Sequence, residues 1–140
     1  MELTLSRRWL DDDGMLQVDV SVNYGGYATY QDVYVYPEDL IEFGERLANY
    51  GASPKEEVVL EVGSTNESAY CWLRLRAFQF DEVGHSAIEV STHRNGAPHV
   101  RARCQFSVPL EIASINELGT QIQAWARAND LPLVFEGYHG

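Results

Sequence analysis

The chain has 140 residues, with 21 Asp and Glu against 10 Lys and Arg for a formal charge of −11, a length that suits one domain burying roughly two thirds of its unfolded surface. Hydrophobic residues at 45% and charged residues at 22% exclude a disordered chain, while the charge sets it against nucleic acid and anionic membranes through repulsion from phosphate. No apolar run approaches the roughly 20 residues of a bilayer span, and MELTLSRRWLDDDG at the N-terminus lacks the apolar middle of a secretion signal, so the expected compartment is the cytoplasm.

Leu16, Val18, Val20 and Val22 alternate with Gln17, Asp19, Ser21 and Asn23, the pattern of a half-buried strand over 16–24. Gly25-Gly26 suits a two-residue turn, so 27–36 should fold back as a hairpin partner that sets Leu16 opposite Val35, Val18 opposite Val33 and Val22 opposite Thr29. Pro37 fits a first helical turn, Leu40, Ile41, Phe43, Leu47 and Tyr50 recur at helical spacing, and Gly51 is a natural stop. Strand character returns over 56–63, where Val58, Leu60 and Val62 share one face.

Three further strands are expected after the polar loop 64–68. The first carries Cys71, Leu73, Leu75 and Ala77 inward, the second Ile88 and Val90, and the third Val100, Ala102, Cys104 and Phe106. A three-residue turn, Arg94-Asn95-Gly96, keeps both apolar sets on one side by pairing Val90 with Val100 and Ile88 with Ala102. SINELGTQIQAWARAND reads as a second helix, with Ser114 and Glu117 as a capping box and Ile115, Leu118, Ile122 and Trp125 on one face. Gly119 weakens that helix by roughly 1 kcal/mol relative to Ala, as a glycine does where another backbone comes close. A short edge strand is expected over 132–136. The fold class is therefore α+β, mainly antiparallel sheet of six to eight strands with two helices, and the two strand-then-helix halves suggest a loose duplication.

The same register reasoning sets Glu57, Arg74, Glu89 and Arg101 in a row across four strands, which reads as a solvated face of alternating charge. Arg74, Arg76, Arg101 and Arg103, with Tyr70, Trp72, His93 and His99 beside them, would otherwise be an anion-binding surface, although Glu89 in their midst opposes a phosphate. His93 and His99 become diagonal neighbours, but no third ligand can be named, and His85 and His139 add no zinc spacing. Asp11, Asp12, Asp13 and Gly14 form a turn, since consecutive aspartates point different ways and cannot surround calcium. Cys71 and Cys104 are too few for a disulfide framework and read as small buried residues. No catalytic nucleophile setting, phosphate-cradling loop or cofactor motif is present, and a non-enzymatic role is the expectation.

Burying Val33 and Val35 turns Tyr30, Asp32, Tyr34 and Tyr36 to the other side, beside Asp19 and Ser21. Tyrosine is enriched at protein interfaces, so this acidic strip is either a partner surface or a layer that a helix or second sheet covers.

The helix PEDLIEFGERLANY after a strand pair, the run WLRLRAFQFDEVGHSAIEV with its Asp81, Gly84 and His85 turn, and the stretch from Phe106 through LEIASINELGTQIQAW resemble small bacterial immunity proteins of toxin and immunity loci, the WapI-type family. The resemblance is one of pattern over about two thirds of the chain, and it implies a protein that binds and blocks one toxin through acidic and aromatic groups. The expected function is thus protein binding through Asp19, Tyr30, Asp32, Tyr34 and Tyr36, with a basic toxin or a second copy of the chain as partner. The alternatives are an anionic-ligand protein or enzyme using Arg74, Arg76, Arg101 and Arg103, and a homodimer of other role.

Overall fold

Period-two alternation becomes sheet wherever a second strand can pair with it. The computed structural model describes residues 1–10, 13–66, 68–128 and 131–137; Asp11, Asp12 and His139 lie outside the described residues. The elements in chain order are β1 (Glu2–Leu10), β2 (Leu16–Tyr24), β3 (Tyr27–Val35), α1 (Pro37–Ala48), β4 (Glu57–Gly63), β5 (Cys71–Gln79), β6 (Ser86–Arg94), β7 (Ala102–Leu110), α2 (Ile112–Ala128) and β8 (Leu133–Glu136). They form two antiparallel four-stranded sheets, ordered β3-β2-β1-β8 and β4-β5-β6-β7. The fold is α+β.

The first hairpin takes the expected register, with Leu16 opposite Val35, Val18 opposite Val33 and Val22 opposite Thr29. Gly25 supplies the positive φ of +59° that the tight turn requires. β1 has no counterpart in the sequence reading. Leu3 and Leu5 are buried, but the alternation stops at Arg7, where a bulge shifts the register between Arg7 and Trp9. β1 pairs β2 on one side and the short edge strand β8 on the other.

The β6–β7 register differs from expectation. Val90 faces Phe106 and Ile88 faces Val108, so the connection runs over 95–101 and not through the three-residue turn. Both registers keep the even-numbered residues inward, so alternation alone cannot choose between them. Burial does: the observed pairing seals Phe106, Val108 and Leu110 and leaves Val100 outside, which removes more apolar surface from water than Val100 and Ala102 would. Pro109 lies within β7, a position that an edge strand tolerates. Because β7 continues to Leu110, α2 starts at Ile112; the amide of Ser114 already bonds to Glu111 O, so Ser114 lies in the first turn and not before it.

The inner faces of both sheets and the facing sides of both helices feed one continuous core. β3 and β7 are each nine residues long and each leads almost at once into a helix. Leu40, Phe43, Gly44, Leu47 and Tyr50 on the first helix and its cap answer at a constant interval to Ile115, Leu118, Gly119, Ile122 and Trp125 on the second, and all ten are buried. The helices cross at Gly44 and Gly119: a methyl on either glycine would strike the backbone of the other helix. Asn116 of α2 donates to Leu47 O and Tyr50 O, both at 2.9 Å, and so caps the end of α1, where Leu47 O also accepts from the Tyr50 amide.

Candidate functional site

The alternation that buries Val33 at 1% and Val35 at 4% exposure leaves Tyr30, Tyr34 and Tyr36 at 54%, 40% and 43%. Among the described residues no helix or sheet seals their rings, and the strip faces solvent. Within it Asp19 lies directly opposite Asp32 across β2 and β3, and like charges in that position repel. The two carboxylates are then treated differently. Asp19 is held by a cation, with Arg8 Nε donating to its Oδ2 at 2.9 Å, and by the Tyr30 hydroxyl donating to Oδ1 at 2.7 Å. Asp32 is held by neutral donors: the Tyr70 hydroxyl at 2.6 Å, Gln17 Nε2 at 3.5 Å and Gln31 Nε2 at 3.4 Å.

Tyr70 is the residue that the sequence reading misplaced. It was assigned to the arginine face, yet it sits just before β5, 62% exposed, where β3 runs against the second sheet. Its ring packs edge-on to Tyr34 at 6.3 Å between centroids, so Asp32, Tyr34 and Tyr70 form one cluster from two sheets. The hydrogen bond to Asp32, aided by burial, pushes the Tyr70 hydroxyl up to about 12. Cys71 next to it donates to Asp32 O at 3.5 Å, and burial, with Asp32 secondary, raises its thiol to about 11. Both Cys71 and Cys104 are unbridged.

The second sheet's outer face does not gather the four arginines. Arg74 faces Ser91 and Arg76 faces Glu89, and both are paired: Arg74 lies 3.8 Å from Glu57 and 3.4 Å from Glu89, and Arg76 lies 3.5 Å and 3.2 Å from the same carboxylates. Arg101 donates to Gly96 O at the β6–β7 turn, and Arg103 stands across from His93. The expected row of Glu57, Arg74, Glu89 and Arg101 is therefore replaced by a compact lattice of two arginines and two glutamates. His93 packs against Trp72 at 4.6 Å, and burial lowers its pKa, with Arg103 adding to the effect. His99 lies in the 95–101 connection, away from the predicted diagonal. Among the described residues no three His, Cys, Asp or Glu side chains are grouped to hold a metal. Asp81 Oδ1 accepts from the amides of Val83 and His85, and Oδ2 meets His85 Nδ1 at 2.5 Å; this closes the β5–β6 turn and lowers the pKa of Asp81.

No helix among the described residues is long and apolar enough to cross a membrane. No family model matches this chain, and no curated protein matches it. Among solved structures the chain is similar to WHY1 from Arabidopsis thaliana, with 11% identity over 88% of this chain and 74% of that chain and a TM-score of 0.47. The expectation that nucleic acid is excluded as a partner is withdrawn, because it rested on net charge alone. Net charge sums over the whole surface and says nothing of any local patch. The likeness says nothing of what the chain binds.

Proposed function

We propose that this chain is a protein-binding domain whose Asp32, Tyr34 and Tyr70 cluster accepts a cationic side chain from a basic partner, as an immunity protein would in blocking a toxin. The observation that carries the reading is the unequal treatment of the facing carboxylates: Arg8 pairs with Asp19, whereas neutral groups hold Asp32. An incoming Lys or Arg relieves the repulsion between the two aspartates and meets two aromatic faces, a combination worth roughly 1–2 kcal/mol in cation–π attraction where water is excluded. Tyr30, Tyr34 and Tyr36 add large amphipathic area that loses little entropy on ordering. The net charge of −11 steers a basic partner toward the domain. In this reading the protein acts in the cytoplasm and without enzymatic chemistry.

The test is the affinity of this chain for the product of the adjacent open reading frame, comparing wild type with Asp32→Ala and Tyr34→Ala. As hot-spot residues each should cost about 2 kcal/mol or more, near a thirtyfold loss in affinity. Unchanged affinity with the fold intact removes the reading.

A further inference from the structure

The second sheet ends in a strand that borders a groove instead of a neighbour. Among the described residues β4 pairs with β5 alone. Five consecutive residues of it, Val59 to Gly63, line a groove of about 460 Å³ whose opposite wall comprises Tyr34, Tyr36 and the α1 residues Asp39, Glu42 and Arg46. Side chains of a strand alternate between faces, so a groove lined by consecutive residues follows the edge of β4 and not either face.

A strand edge offers a row of backbone N–H and C=O groups that can template another strand, and proteins commonly blunt such edges with proline, lysine or a bulge. β4 is EVVLEVG, with neither proline nor lysine, and it pairs with β5 in unbroken register. The groove walls set the charge of any occupant: Asp39, Glu42 and Glu61 face Arg46 as the only cation among the lining residues. Glu61 is already bound by Trp72 Nε1 at 2.7 Å, a neutral donor that leaves its charge in place.

We propose that the β4 edge and the adjoining groove are a strand-addition site for an extended, lysine- or arginine-bearing segment of a protein partner. The proposal rests on the reading of the chain as a protein-binding domain, but it names a second site, centred on β4 and α1, that adjoins the tyrosine face at Tyr34 and Tyr36. Backbone hydrogen bonds to β4 would supply affinity along about 17 Å of strand, and alternate basic side chains would reach Asp39 and Glu42.

An eight-residue peptide of alternating Lys and Val serves as the probe, read by backbone amide shifts and by fluorescence anisotropy. It should shift the β4 amides, and Asp39→Asn with Glu42→Gln should weaken binding about fivefold. N-methylation of alternate peptide amides should abolish binding, because it removes the strand donors and keeps the charge. The β4 amide shifts should persist in Asp32→Ala, which separates this site from the Asp32 cluster whatever that variant does to total affinity. Absence of β4 shifts at millimolar peptide, equal β4 shifts with the N-methylated peptide, or loss of the β4 shifts in Asp32→Ala each overturns the proposal.

Discussion

Replacing Gly119 by Ala opposes two effects of known sign. In an exposed helix interior the change stabilises by about 1 kcal/mol, since glycine has the larger entropy to lose. At the crossing with α1, however, the new Cβ would lie 2.5 Å from Gly44 O and 2.7 Å from Leu47 Cβ, and against Ala48 N as well. Two of those obstacles are backbone atoms of the facing helix, so no rotamer change makes room and the helices must part. Parting loosens Leu47, Ile115, Leu118 and Ile122, all essentially sealed from solvent, and overpacking of this kind costs about 1–3 kcal/mol or more. The expected net result is a loss of about 2 kcal/mol, read as a lower urea midpoint at unchanged m-value and a fall in Tm of roughly 6–10 °C for a chain of this size. Gly44→Ala should act in the same direction, because its Cβ would lie 2.7 Å from Gly119 O and 2.9 Å from Gln123 N. Stabilisation of about 1 kcal/mol by either variant would mean that propensity alone governs, and the close crossing would be refuted.

Asp32→Asn removes the charge beside Tyr70 and should return that hydroxyl from about 12 toward its ordinary value of 10, seen in a tyrosinate absorbance titration. Because the folded-state pKa lies above the unfolded one, the stabilising contribution is present below pH 10 and is lost as pH rises toward 12; loss at acid pH instead would contradict the assignment. Glu89→Ala leaves Arg74 and Arg76 with only the more exposed Glu57 between them and should destabilise by about 1–2 kcal/mol, with added salt recovering part of the loss. Asn116→Ala removes the side-chain donor to Tyr50 O and one of the two donors to Leu47 O and should lower stability by about 1–3 kcal/mol in urea unfolding.

Strands with one wet face declare themselves, and the pairing of β2 with β3 was legible because Leu16, Val18, Val20 and Val22 alternate without interruption and the Gly25-Gly26 turn leaves one register that buries them. The α1 face and the outward direction of Tyr30, Tyr34 and Tyr36 follow from the same geometry. β1 was not legible, since its alternation breaks at the Arg7 bulge. The β6–β7 register was not legible either, because registers slid by an even number of residues bury the same face.

Of the candidate site, the chain's own order of residues determined which side chains look outward on β3, because periodicity is a local property. Only the tertiary structure decided that Tyr70, 38 positions from Asp32, would complete the cluster, and that Arg74 and Arg76 would be neutralised by Glu57 and Glu89 while Arg101 and Arg103 went elsewhere. Alternation assigns a residue to a face, but which sheets meet, and at what register, depends on how much apolar area the whole core can bury, a sum over pairs far apart in the chain.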